Sequence, residues 1–399
     1  MNIPNQTEKP ELKSIKELRG TLDTSSALLL SFVAALLCAF APISLFYNMT
    51  ELAFEGLSLV VLAATLFAFY RMIGMGRAFV ILAIISGAAF LFSGVSMISL
   101  PIAFVVSVSL IAYILLTADS IHARIIAILS SVLAFVVSVL LTGTLFGSAL
   151  AFLPLAAALA LYYSVIKCLE KVSAICHISA ALIICVFGAL AVKYLLTFGA
   201  DATPLVNLIN EARETVTSLT SQALFTAYGE IMSISMTDAE ALSSAAVNAT
   251  FNLLPAIIVI IANLFSFFIH STMLSALFSK RDPVGEVKEM MLFDMSIHSA
   301  IIFLSSFFLA LILSVSEVSV WSVTLENVAV ILMPAMVLTG VMMLRGLTMH
   351  KKGSCFVALV YFASIFLIFY IPTVMLPIAS VAGAVTVILN TIAKRKLKK

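Results

Sequence analysis

The sequence predicts an all-α fold: a polytopic transmembrane helix bundle of about twelve spans, with both termini on the cytoplasmic side of a bacterial-type cell membrane. Three observations predict it. Of the 399 residues, 62% are hydrophobic and only 11% are charged, whereas a water-soluble domain keeps about a quarter of its residues charged. The apolar residues form uninterrupted runs long enough to cross a hydrocarbon core of about 30 Å at about 1.5 Å per residue, where the strands of a barrel would alternate. The basic residues fall in alternate loops.

A polar leader, residues 1–26, comes first and carries Lys9, Lys13, Lys16 and Arg19. Leu12, Ile15, Leu18 and Leu22 recur in it at helical spacing, which suits either a short helix on an anionic inner leaflet or an unstructured tail. The first apolar run, 27–46, is too long for a cleaved signal peptide and reads as a retained span. Further spans follow at 52–70, 78–97, 99–117, 124–142, 147–166 and 174–198, completing an amino-terminal bundle over 27–198. An acidic extracytoplasmic segment occupies 199–246. In it Leu205, Leu208, Ile209, Ala212, Val216, Leu219 and Ala223 repeat at three- and four-residue spacing, the mark of an amphipathic helix. Thr237 and Glu240 have capping-box spacing and predict a helix running into the eighth span with no breaker before Pro255.

The carboxy-terminal bundle, 247–392, holds spans at 247–277, 296–315, 324–344, 354–370 and 372–392, and a basic tail, 393–399, closes the chain. The last two spans are separated by Pro372 and Pro377, because an uncharged run of that length would make a single helix of about 58 Å. Counting from a cytoplasmic start, 20 of the 22 lysines and arginines fall on the inner side, and only Lys193 and Arg213 lie elsewhere. A miscounted span in the middle would reverse every later loop.

Catalytic motifs are absent from the sequence. It has no Walker loop, no G-x-G-x-x-G, no H-E-x-x-H, no G-x-S-x-G and no nucleic-acid module. No enzyme, cofactor, metal or nucleic-acid role is therefore expected. The five cysteines include no C-x-x-C pair. No aspartate or glutamate lies in the middle of a span, which disfavours a pump coupled through a membrane carboxylate.

The eighth span differs from the others in polarity. Taken as one straight helix, it places Asn248, Asn252, Asn263, Ser266 and His270 within an arc of about 60°. Such a stripe faces other helices or a water-filled cavity, either as hydrogen-bonding glue or as a ligand path. Pro255 frees a backbone carbonyl near Asn252, and broken helices recur at transporter binding sites. Asn252, Asn263, Ser266 and His270, together with Lys193 near the outer end of the seventh span, are the candidate ligand-binding residues. Lys193 also has a stem long enough to snorkel outward. His177 and His298 sit about one turn inside their spans, where a neighbour can satisfy them. Ala35 with Ala39, Gly143 with Gly147, and Ala379 with Gly383 are small-residue pairs that permit close helix approach.

Over 204–395 the order of features resembles the YybS-like family, polytopic bacterial membrane proteins defined by a domain of unknown function. A polar helical segment leads into Asn252-Leu-Leu-Pro255 and Asn263, followed by the basic turn Lys280-Arg281-Asp-Pro283. A span with Asn327, Pro334 and Gly340, a basic turn from His350 to Lys352, and a closing pair ending Ile392-Ala-Lys394-Arg395-Lys396 complete it. In the amino-terminal half only Pro42 and the turn Gly74 to Arg77 match. The resemblance implies a distant similarity to the substrate-binding subunits of energy-coupling factor transporters, which have about half as many spans, although Ala35 and Ala39 fit the alanine motif by which those subunits dock.

Two functions remain open. One is a small-solute carrier or substrate-capture subunit that uses a partner or gradient for energy, since it has neither an ATPase site nor a buried carboxylate. The other is a non-transporting scaffold for envelope or sporulation machinery. The expected partners are the lipid bilayer and an energy-coupling or envelope protein.

Overall fold

The computed structural model describes residues 20–47, 50–74, 99–232, 235–277, 295–316, 319–349, 363, 366 and 370–397. The leader up to Arg19, the span at 78–97, nearly all of 354–370 and the basic turns around Lys280 and Lys351 lie outside the described residues. The remaining chain is helical, and its one β-type pairing among the described residues is an isolated bridge between Leu22 and Ala118. Ten of its segments are long and apolar enough to cross a membrane. The all-α polytopic bundle expected from composition is what the structure shows.

In chain order the helices are α1 (Thr24–Phe46), α2 (Glu51–Ile73), α3 (Ser99–Thr117), α4 (Ile121–Thr142), α5 (Leu145–Ser148), α6 (Leu153–Ile166), α7 (Lys171–Phe198), α8 (Thr203–Met232), α9 (Met236–Asn252), α10 (Leu254–Leu277), α11 (Ile297–Ser316), α12 (Val320–Met349) and α13 (Pro372–Leu397). The chain divides into two compact units. One comprises Met1–Ala189 and Ala262–Met291, the other Leu190–Ile261 and Leu292–Lys399. α7 and α10 contribute residues to both.

In the first unit, α3 is the hub. Fifteen of its 19 residues are buried, on all sides, so it has no stripe left for lipid. The Ser107 and Ser109 hydroxyls donate to their own helix, at Phe104 O and Val105 O, both 2.8 Å, so they leave no orphan donor in the core. The Ser99 hydroxyl donates to Ser58 Oγ in the second turn of α2 at 3.4 Å, so α2 and α3 run parallel. At the other end of the unit, Gly20 N and Leu22 N donate to Thr117 O (3.1 and 3.2 Å), and Asp119 N donates to Leu22 O (3.1 Å). Arg71 Nη2 donates to Ser26 Oγ at 2.7 Å, bringing the end of α2 to the start of α1.

α1 packs along α4 through small side chains. Every buried residue of α4 is alanine or serine: Ala123, Ala127, Ser130, Ser131, Ala134 and Ser138. α1 is the helix they pack against, with Cys38 Sγ 3.9 Å from Ser131 Oγ. The large residues of α4, including Ile125, Leu129, Leu133 and Leu140, are exposed. That inversion is how a helix in lipid packs, since bulk toward the lipid costs nothing and small residues let backbones approach. Pro154, in the first turn of α6, has no N–H to give, and a short 3-10 turn, Ala149–Phe152, joins α5 to α6 there.

In the second unit, α11, α12 and α13 pack together, and α12 and α13 meet backbone to backbone. A Cβ placed on Gly383 would lie far inside contact distance of the Met336 carbonyl oxygen, and one on Gly340 would lie far inside contact distance of that of Ala379. Ala379 and Gly383, paired from spacing, are thus a true crossing point, with Gly340 as their counterpart. α8 and α9 form a helical hairpin. Its second helix is capped by Ser235, whose hydroxyl accepts from Asp238 N (3.1 Å) while Ser235 N donates to Asp238 Oδ2 (3.3 Å). The capping box therefore lies two residues before the expected Thr237 and Glu240.

Candidate functional site

The span expected as one helix over 247–277 is broken. α9 ends at Asn252, Leu253 takes φ −89° and ψ −2°, and α10 starts at Leu254. Pro255 explains the place, because its ring nitrogen cannot close the rung to Phe251 and its ring crowds that carbonyl. The next rung, Ala256 to Asn252, is opened and filled from outside by the Asn327 side chain on α12. Asn327 Nδ2 donates to Asn252 O at 2.9 Å and to Val323 O at 2.8 Å, and Asn327 Oδ1 accepts from Ala256 N at 3.0 Å. One amide thereby satisfies the last carbonyl of α9 and a first-turn N–H of α10 and spends both of its own hydrogens. Sequence reading had noted Asn327 only as part of a family pattern. The signal that could have found it is an asparagine inside an apolar span in a chain that also carries a proline-broken one.

The break changes the polar stripe. The wheel that aligned five residues assumed an uninterrupted helix, and it holds only within α10, for Asn263, Ser266 and His270. Asn248 is exposed on α9, its Nδ2 3.5 Å from Ser244 Oγ, and Asn252 takes part in the clamp through its backbone carbonyl. Asn263 is half-buried. Ser266 is buried and donates to Ala262 O at 2.7 Å, within its own helix. Lys193 is exposed on α7, in the second unit, whereas Asn263, Ser266 and His270 belong to the first. His177, also exposed, donates through Nδ1 to Ser173 O at 2.7 Å.

His270 is different. It is only 5% exposed, and its Nδ1 has no hydrogen-bond partner among the described residues. The next two side chains, Ser271 and Thr272, are also buried, with hydroxyl oxygens lacking partners among the described residues. These three lie about 10 Å from the carboxy-terminal end of α10 and point in directions about 100° apart, so they form a polar belt and not one constellation. On the His270 side of the belt, the Lys171 ammonium stands 5.2 Å from the centre of the Phe267 ring, a cation–π geometry. Among the described residues, the chemistry available is hydrogen bonding by an imidazole and two hydroxyls, with the Lys171 cation on one side.

The family described as "Predicted membrane protein (DUF2232)" matches residues 87–384, about three quarters of the chain. The chain belongs to the DUF2232 family. The DUF2232 match takes in α3 to α12 and the first half of α13, including Asn327, the break at Asn252 and the polar belt of α10. α1 and α2 precede it. No curated protein and no solved structure matches the chain.

Proposed function

We propose that this multi-pass membrane protein is transport-related: a small-solute carrier or substrate-capture subunit of the bacterial cytoplasmic membrane, without its own ATPase. The observation that carries the reading is His270, a buried imidazole inside a span whose Nδ1 has no partner among the described residues. Buried polar atoms are nearly always satisfied, and polar side chains at membrane depth mark solute pathways. The break at Leu253 interrupts the chain at the start of the same span, and discontinuous spans recur in transporters. The YybS-like resemblance, with its implied kinship to energy-coupling factor subunits, favours the capture-subunit form, for which an ATPase should co-purify in mild detergent.

The test is a thermal-shift screen of polar metabolites against the purified protein. Asn263→Leu and His270→Gln should each abolish a metabolite-induced rise in melting temperature while changing the unliganded value little, because a site built to hydrogen-bond a ligand loses binding when its partner goes. If no metabolite stabilises the parent protein and both variants melt well below it, the polar atoms are glue and the carrier reading fails. A scaffold role has one feature in its favour, the exposed acidic outer hairpin, and co-purification of a cell-wall complex would decide for it.

A further inference from the structure

α8 presents an apolar stripe that no part of the described chain covers. Leu205, Leu208, Ile209, Val216 and Leu219 are 40–62% exposed, and Ala212 and Ala223 continue the row. The side of α8 that meets α9 is a different one: Arg213, Thr217, Ser221 and Leu224 are the half-buried or buried positions, about 120° around the helix from the stripe. Opposite the stripe lie Asn207, Asn210, Glu214 and Ser218, all exposed. The helix is therefore sided three ways, toward its partner, toward water and toward something apolar.

Two anchors set the level of that stripe. Leu205 N donates to Tyr194 Oη at 3.2 Å, and Tyr194 Oη donates to Asp201 O at 2.5 Å. Tyr194 lies one turn inside the end of the α7 span, so the first turn of α8 is tied to the end of a membrane helix through a tyrosine, a residue type that favours the bilayer interface. At the other anchor, the Arg213 guanidinium stands 5.3 Å from the centre of the Phe251 ring, next to the end of α9. Large apolar residues are exposed at both span ends, Leu190, Val192, Leu195, Leu196 and Phe198 on α7 and Leu254 and Ile261 on α10, as expected of surface that meets lipid.

We infer that α8 is an interfacial helix whose Leu205–Ala223 stripe, about 27 Å long, lies in the headgroup and acyl boundary of the membrane, continuous with the lipid-facing ends of α7 and α10. The hairpin then reclines on the bilayer with Glu214 and Asn210 toward water, and a phospholipid surface, not a protein, occupies the stripe. The test places single nitroxides on the full-length protein in a background without native cysteines, reconstituted in phosphatidylethanolamine–phosphatidylglycerol liposomes. Leu208, Val216 and Leu219 report on the stripe, and Asn210, Glu214 and Ser218 on the opposite face. Collisions with lipid-soluble oxygen should exceed those with a water-soluble nickel chelate severalfold at the first three, with the order reversed at the others. Nickel access at both faces would overturn the inference by showing that the hairpin stands in water. Protection of the stripe from both reagents would overturn it equally, by showing that a second copy of the chain covers it.

Discussion

At the scale of single residues, the Asn327 amide occupies a rung of a helix that is not its own, and what it spans in sequence explains why it was hard to foresee. Its partners Ala256 and Asn252 are 71 and 75 positions away, and no local spacing encodes a contact of that separation. Composition revealed the span as one helix, and Pro255 lies within three residues of the break that the structure shows. Neither said which side chain would fill the gap. Asn327→Leu should lower the unliganded melting temperature, since it strands Asn252 O and Ala256 N at a cost of roughly 1–3 kcal/mol each where water does not reach. Faster amide exchange at Ala256 would locate the damage, and an unchanged melting temperature would deny the clamp. Asp23 offers a second residue-scale test. Its carboxylate accepts from the Ser25 hydroxyl and from Ser26 N at 3.0 Å, capping α1, and hydrogen bonds from Ser25 and Ser26 hold its pKa far below the usual carboxylate range. A depressed folded pKa means the cap contributes fully above the unfolded value of about 3.9 and is lost as pH falls through the folded one. Asp23→Asn should therefore flatten the acid limb of the melting profile below about pH 4 while leaving the neutral value nearly unchanged. Asp201 is held low in the same sense by Thr203 N at 2.9 Å, at the head of α8.

At the scale of elements, the spans were legible because lipid imposes a length and an apolar composition on any crossing helix. Their packing faces were less so. Among the small-residue pairs noted from spacing, Ala379 with Gly383 marks the α12–α13 crossing, yet the most extensive small-residue seam, Ala123 to Ser138 on α4, was not singled out. In an alanine-rich chain such rows blend into the background, and only the partner's position tells a seam from a coincidence. The α12–α13 crossing yields a sharp contrast. Gly383→Ala drives a methyl into the Met336 carbonyl, and backbone cannot rotate away as a side chain can, so destabilisation of at least about 1–3 kcal/mol is expected. Gly188→Ala on α7 meets nothing within 4 Å and should be neutral or stabilising by up to about 1 kcal/mol. Thermal denaturation in detergent measures both, and equal effects would refute the close approach.

At the scale of the whole molecule, the testable quantity is sidedness. Bonds at Leu22, Ser26, Arg71 and Thr117 gather the start of α1 and the ends of α2 and α3 at one end of the first unit, the end the charge distribution assigns to the cytoplasm. In intact cells, cysteine at Glu214 should react with an impermeant thiol reagent, and cysteine at Lys167 should react only after permeabilisation, both in a cysteine-free background. Reaction of both from the same side would refute the topology. The burial of α3 bears on a different matter, the order in which the chain is made. α6, which helps enclose it, begins 36 residues after α3 ends, so α3 leaves the translocation machinery before its enclosure exists. During that interval the side that α6 later covers faces lipid, which explains why so fully enclosed a helix carries no charged residue and keeps its Ser107 and Ser109 hydroxyls on its own backbone. Its sequence answers first to the membrane it passes through during synthesis, and only afterwards to the neighbours that enclose it.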